Sequence, residues 1–296
     1  MAVSPRPQPI FRRPDNYFFT KEQTVSKRLI GMAPLSVLGT EPVDFIQAAA
    51  KTGFDFIGLR TRPVTTTEKD LNLLHHNPRM KEVLAALKDT GMKVADTEFL
   101  VIDEHVTPDV WLPMLDAAAQ LGAQSLTATI TDPDLARATD VMASLVEDAK
   151  QSGIIITLEP ISYQTVKLLT EAADVAEQTG CQVLFDTLHF HRAFGEPEHI
   201  IPALPYLANM IQLCDGILAE RADTREGLIE ESCAKRGVPG EGDFKLAECV
   251  ALLPENMPVS IEVPNPKFAE LGLEGYLRYL KAATEQVLEK AAALRV

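Results

Sequence analysis

Positive charge is scarce in this chain of 296 residues. Lys and Arg number 28 against 42 Asp and Glu, a formal net charge of -14. A protein that grips a phosphate backbone needs neutralising cations, so nucleic acid is excluded as a partner. The deficit still allows one basic pocket for a small anion, and it draws attention to carboxylates that could hold a cation. Cysteine is scarce as well. Cys181, Cys214, Cys233 and Cys249 form no CxxC pair and no disulfide framework, so a reducing cytoplasm is the expected compartment. No apolar run approaches the ~18 residues of a membrane span, which excludes a membrane-embedded chain. The N-terminal MAVSPRPQPIFRRPDNYFF carries Pro and Arg where a signal peptide needs an apolar core.

What is present reads as a soluble globular protein, 46% hydrophobic and 24% charged. Residues 1–27 form a Pro- and Arg-rich arm without periodicity. Its Phe11, Tyr17, Phe18 and Phe19 predict that it packs on the body, across one end or on a second subunit of a homo-oligomer. From Arg28 the texture repeats. Apolar runs (RLIGMAP, FDFIGLR, MKVADTEF, QSLTATI, IIITLEP, CQVLFDT, NMIQLCD, PVSIEVP) alternate with helical stretches. Those stretches fall near 42–52, 79–90, 108–121, 133–152, 165–179, 198–207, 245–253 and 273–294. Gly53, Gly91, Gly122, Gly153 and Gly180 stand where left-handed helix caps belong. Short apolar strands alternating with helices indicate a parallel sheet buried on both faces. Eight such units predict an α/β fold, a single (β/α)8 TIM barrel over 28–296 with an N-terminal extension. An open doubly wound sheet is the alternative, but RLIGMAPLSVLGT lacks its GxGxxG turn.

Chemistry in a barrel sits at the C-terminal ends of the strands. Strand 5 ends in Glu159, strand 6 in Asp186 and strand 8 in Glu262. Strand 7 carries Gln212, strand 3 Glu98, and strand 2 ends in Arg60. Carboxylates a few ångströms apart cannot all stay ionised without a compensating cation. Oxygen donors without Cys suit a hard divalent ion. The bland reading is that each carboxylate caps a helix or pairs with an Arg. His189, three residues after Asp186, is placed to polarise a carbonyl or move a proton. His191 and Arg192 are substrate contacts or supports. Arg221 and Arg236, in the long and lid-like segment after strand 7, are candidates for a substrate carboxylate, phosphate or hydroxyl. His75, His76, His105 and His199 read as structural or solvent-facing.

TLEP at Glu159, FDTLHFHR at Asp186 and His189, IQLCDG at Gln212, RGVPGEGDF from Arg236 and SIEVP at Glu262 occur in a telling order. Over residues 28–290 the chain resembles the sugar phosphate isomerase/epimerase superfamily, the xylose isomerase-like TIM barrels. The resemblance implies a divalent metal (Mn2+, Mg2+ or Co2+) held by Glu159, Asp186, Gln212 and Glu262. It implies His189 as a catalytic or substrate contact. Many sugar epimerases carry His where this chain has Gln212, and Gln there resembles the 3-dehydroshikimate dehydratase branch. The endonuclease IV branch needs more histidines and a DNA-binding surface, which the acidity argues against.

Such a site stabilises an enediolate with its metal, while Glu159 or Glu262 takes a proton and returns it. The leading expectation is therefore a metal-dependent isomerase or epimerase of a keto sugar or related polyol. A lyase of the dehydratase type, acting on a hydroxy-keto acid, comes second. A non-catalytic barrel that binds a sugar or a partner comes third, and it predicts carboxylates paired with Arg or Lys. Arg60, Glu98, His189, Arg221 and Arg236 are the substrate-binding candidates.

Overall fold

Every apolar run becomes a strand, because its residues are buried on both faces. The computed structural model describes residues 28–65 and 68–295. The arm at 1–27 lies outside the described residues. The strands are β1 (Ile30–Met32), β2 (Phe56–Arg60), β3 (Lys93–Ile102), β4 (Ser125–Ile130), β5 (Ile155–Leu158), β6 (Gln182–Asp186), β7 (Leu207–Leu213) and β8 (Val259–Ile261). They pair in parallel in chain order, and β8 returns to β1 to close the barrel.

The outer helices are α1 (Pro42–Thr52), α2 (Pro78–Thr90), α3 (Pro108–Leu121), α4 (Leu135–Ser152), α5 (Leu169–Thr179), α6 (Thr187–Arg192), α7 (Arg225–Ala234), α8 (Leu246–Leu252) and α9 (Lys267–Ala293). Each long helix turns an apolar stripe onto the barrel. In α3 the stripe is Trp111, Met114, Leu115, Ala118 and Leu121, which join one core with strand residues such as Leu126 and Ile156. The five cap glycines take the left-handed conformation, Gly53 at φ 77° and Gly122 at φ 68°.

Several boundaries differ from the sequence reading, each for a local reason. α4 starts at Leu135 because the Asp134 carboxylate accepts from Arg137 N. α5 starts at Leu169, where Glu171 accepts from the backbone of Lys167 and Leu168. The stretch expected as a helix near 198–207 is a 3-10 run, Pro197–Tyr206, with Pro202 and Pro205 inside it. Two helices fall where loops were expected. α6 follows β6 directly, capped by Asp186, and α7 lies inside the long segment after β7. That α7 buries only Leu228 and Ser232 explains its faint signature.

Register brings the polar strand ends side by side. Arg60 pairs with Glu98 across β2 and β3, and Asp186 with Gln212 across β6 and β7. Gly58 makes room beneath them: a Cβ there would lie 2.6 Å from Asp96 Oδ1. Among the described residues no helix is long and apolar enough to cross a membrane.

Candidate active site

The strand ends meet in one buried network. Asp186 uses Oδ1 to cap α6, accepting from Leu188 N at 2.6 Å and from His189 N at 3.4 Å. That cap explains why His189 is delivered to the mouth immediately after the strand. Asp186 Oδ2 pairs with Arg236 Nη1 at 2.6 Å, and Arg236 Nη2 lies 2.8 Å from Glu262 Oε2. Gln212 Nε2 donates to Glu262 Oε1 at 3.0 Å and to Glu98 Oε1 at 3.3 Å. Arg60 donates to Glu98 at 3.4 Å and to Glu68 at 3.0 Å. Glu159 stands apart from these pairs. Among the described residues no Arg or Lys pairs with it, and the ionisable group beside it is His189, whose Nε2 is 3.7 Å away. His189 Nδ1 meets Ser162 Oγ at 3.3 Å, and the Tyr163 ring stands edge-on to the imidazole.

Arg236 reaches this network because of the glycine-rich motif. Asp215, just past β7, accepts from Gly216 N, Gly240 N and Phe244 N, which folds the PGEG turn around its carboxylate. Gly242 has to be glycine there, since a Cβ would lie 2.4 Å from Asp215 Oδ1. Arg236 Nε donates to Ser232 O at the end of α7, which fixes the guanidinium over the carboxylates. The motif is thus a bracket for Arg236 rather than a phosphate loop.

The electrostatics follow from composition. Asp96, Glu98, Glu159, Asp186 and Glu262 are all buried, and against them stand buried Arg60 and Arg236. Negative groups outnumber positive ones in a low-dielectric interior. Burial, then the Glu262 charge, pushes Asp96 up to about 7. Burial, then Asp96, pushes Glu98 up to about 8. Glu159 and Glu262 are held well above the ordinary carboxylate range by burial; neighbouring acids add to the rise, while Arg236 opposes it. Burial would raise Asp186 too, but the Arg236 guanidinium beside it holds it low. Burial pushes the His189 imidazole down to about 4, so it is neutral near pH 7.

These residues fit a divalent cation. Glu159 and Asp186 place carboxylate oxygens within 4.8 Å of each other, and a ring nitrogen of His189 lies within the same span. Gln212 spends its amide nitrogen on two carboxylates, and its Oε1 is buried without a partner. A hard-donor set in which buried carboxyl groups outnumber their cationic partners, with an unpartnered amide oxygen beside them, is the chemistry such an ion requires.

The structure brings together Arg60, Glu98, Glu159, His189, Arg236 and Glu262, all lining one cavity of about 720 Å3 at the barrel mouth. Asp186 and Gln212 join it through the network beneath. Arg221 is not among the cavity's lining residues. It donates to Arg192 O and Ala222 O and lies over the Phe194 ring, so it ties loops together instead of facing substrate. His191 stacks on Phe244 and Arg192 pairs with Glu231, so both are supports. Sequence reasoning missed Asp96, whose signal was an acid two residues before Glu98 on the same strand face. It also missed Tyr163 and Ser162, for which the sequence carried no signal.

A closed parallel barrel with carboxylates, a histidine and a glutamine at its strand ends defines a class of α/β barrels with an acidic mouth. The chain belongs to the xylose isomerase-like TIM barrel family, whose model matches residues 46–290. No curated protein matches the chain by sequence. Among solved structures, it is similar to a xylose isomerase-like TIM barrel/4-hydroxyphenylpyruvate dioxygenase fusion protein (TM-score 0.76, 18% identity, 91% of this chain). The chain spans only 44% of that fusion protein. It is also similar to the IolI protein with a bound zinc atom (TM-score 0.72, 18% identity, 89% of this chain and 99% of that one). A third is the D-allulose 3-epimerase from Methylomonas sp. in complex with D-allulose (TM-score 0.65, 16% identity, 88% and 98%). At these identities the likeness concerns the fold.

Proposed function

We propose that this protein is a divalent-metal-dependent isomerase or epimerase acting on a keto sugar or related hydroxy-ketone. The observation that carries the reading is the excess of carboxyl groups over cationic partners at the barrel mouth. Among the described residues, buried carboxyl groups outnumber guanidinium groups there, Glu159 has no Arg or Lys partner, and the Gln212 amide oxygen is unsatisfied. Glu159, Asp186, Gln212 and Glu262 would hold the ion, with His189 beside them. Zinc in the similar IolI protein and D-allulose in the similar epimerase support the same class.

A divalent ion bound there supplies Lewis-acid stabilisation of the negative charge that develops on a substrate carbonyl oxygen. The chain's own residues do the rest. Glu159 is the carboxylate least engaged by the protein, so it takes the proton next to the carbonyl. Glu262, held by Arg236 and Gln212, returns a proton on the other side. His189 is neutral and offers a hydrogen bond to a substrate oxygen. Arg236 keeps Asp186 ionised and fixes Glu262 in place.

Dehydration of a hydroxy-keto acid is the second reading, since Arg60 and Arg236 line the cavity. It ranks lower because the terminal nitrogens of both arginines already face protein carboxylates. The paired Asp186 and Glu262 also match what a non-catalytic barrel would show, but Glu159, which no Arg or Lys pairs among the described residues, does not. The test is deuterium exchange at the carbon next to the carbonyl, followed by NMR across a ketose panel with Mn2+ present. Glu159→Gln should slow exchange by about 10²–10⁴-fold. Unchanged exchange after metal removal, or in Glu159→Gln, would sink the reading.

A further inference from the structure

The cavity's floor and walls differ in chemistry. The floor is the charged network just described. The walls are apolar: Leu35 and Leu38 after β1, Val64 after β2, Phe99 on β3, Ile161 after β5 and Ile229 on α7. They come from separate elements, so apolar surface surrounds the site instead of forming one side of it. It continues to the rim, where Leu38 is 41% and Val64 37% exposed.

Several polar groups in the walls are already engaged. Tyr163 donates its hydroxyl to Ser232 at 3.2 Å, and Gln164 accepts from Arg225 at 3.3 Å. Lys69 pairs with Glu41, and Glu68 with Arg60. Hydroxyl groups beyond a substrate's reacting end would therefore compete with these existing partners for the polar atoms of the walls. The volume of about 720 Å3 falls in the upper half of the range that drug-sized ligands fill, roughly 300–1,000 Å3. A bare ketose on the floor would leave much of this volume and of the apolar wall uncovered.

Resting on the hydroxy-ketone reading above, we propose that the substrate carries an apolar substituent, an aryl or alkyl group. The hydroxy-ketone end sits on the charged floor, and the substituent lies between Leu35, Phe99, Ile161 and Ile229. The contact is hydrophobic and non-directional, so the wall selects for an apolar arm of suitable length rather than for one structure.

The test compares 3-keto-D-glucose with phenyl 3-keto-β-D-glucoside on the full-length, Mn2+-loaded protein. Exchange at the carbon next to the ketone is followed by NMR. We expect kcat/KM to favour the phenyl compound by about ten-fold or more, the scale on which apolar pockets discriminate. Ile229→Asp and Leu35→Asp should each pull that ratio toward one. Both positions are partly exposed, which favours folding of the variants. Equal or faster turnover of the free sugar by wild type overturns the proposal. So does a ratio that neither variant changes. Exchange of neither compound, with Mn2+ bound, overturns the hydroxy-ketone reading itself and this proposal with it.

Discussion

Arg236 Nη1 lies 2.6 Å from Asp186 Oδ2, the shortest link between the glycine-bracketed loop and the strand ends. The same guanidinium holds Glu262, so it anchors two carboxylates at once. Removing it strands buried negative charge. Arg236→Met should cost about 3–5 kcal/mol in metal-depleted protein. Saturating Mn2+ should then stabilise the variant more than wild type, because the ion replaces the lost positive charge. Thermal melts with and without Mn2+ check this. Equal stabilisation of both proteins would contradict it.

Glu98 and Glu262 both accept from Gln212 Nε2, which turns the amide so that its oxygen is the free end. A flipped amide would set that oxygen against two carboxylates. Glu98 is in turn held by Arg60. Glu98→Leu should therefore weaken Mn2+ binding by about 10–100-fold, as loss of a group that orients a ligand does. In a Gln212→Ala background it should add little further loss. An equal loss in both backgrounds would show that Glu98 acts through bulk charge instead.

His189 is expected to touch substrate rather than to carry the ion. His189→Asn should lower proton exchange by about 10²-fold or more while leaving Mn2+ affinity close to wild type. Calorimetric titration beside the NMR assay separates the two roles. A matching fall in Mn2+ affinity would make His189 a ligand.

The buried acids also set a pH dependence. Asp96 is pushed up to about 7 and Glu98 to about 8, burial being the larger cause in each. The folded state therefore binds more protons than the unfolded one, where such groups titrate near 4. Their contribution to stability is present below the unfolded value and is lost as pH rises through about 7–8. Metal-depleted protein should melt lower at about pH 8.5 than at about pH 6, and Mn2+ should flatten the fall. A melting temperature that rises over that interval without metal would contradict this.

The barrel was legible because period and punctuation agreed: apolar runs of strand length, helical stripes and a capping Gly between them. The residues Glu159, Asp186 and Glu262 were legible for the same reason, each being the polar residue that ends an apolar run. The partners of those residues were not. Arg236 reaches Asp186 through a turn folded around Asp215, a contact no spacing encodes. Asp96 was masked because it lies deeper on the same face of β3 as Glu98, and only the outermost acid was read as facing the mouth. α7 was hidden by its weak apolar face, and α6 by its start on a functional residue. Prolines at 202 and 205 converted an expected helix into a 3-10 run.

The central claim is that the carboxylate network holds one divalent ion. Metal-depleted full-length protein titrated with Mn2+, with the free ion read by electron paramagnetic resonance, tests it most directly. The account predicts one tight site per chain in wild type, severely weakened in both Glu159→Gln and Glu262→Gln. No tight site, or a site that both variants retain unchanged, would contradict it.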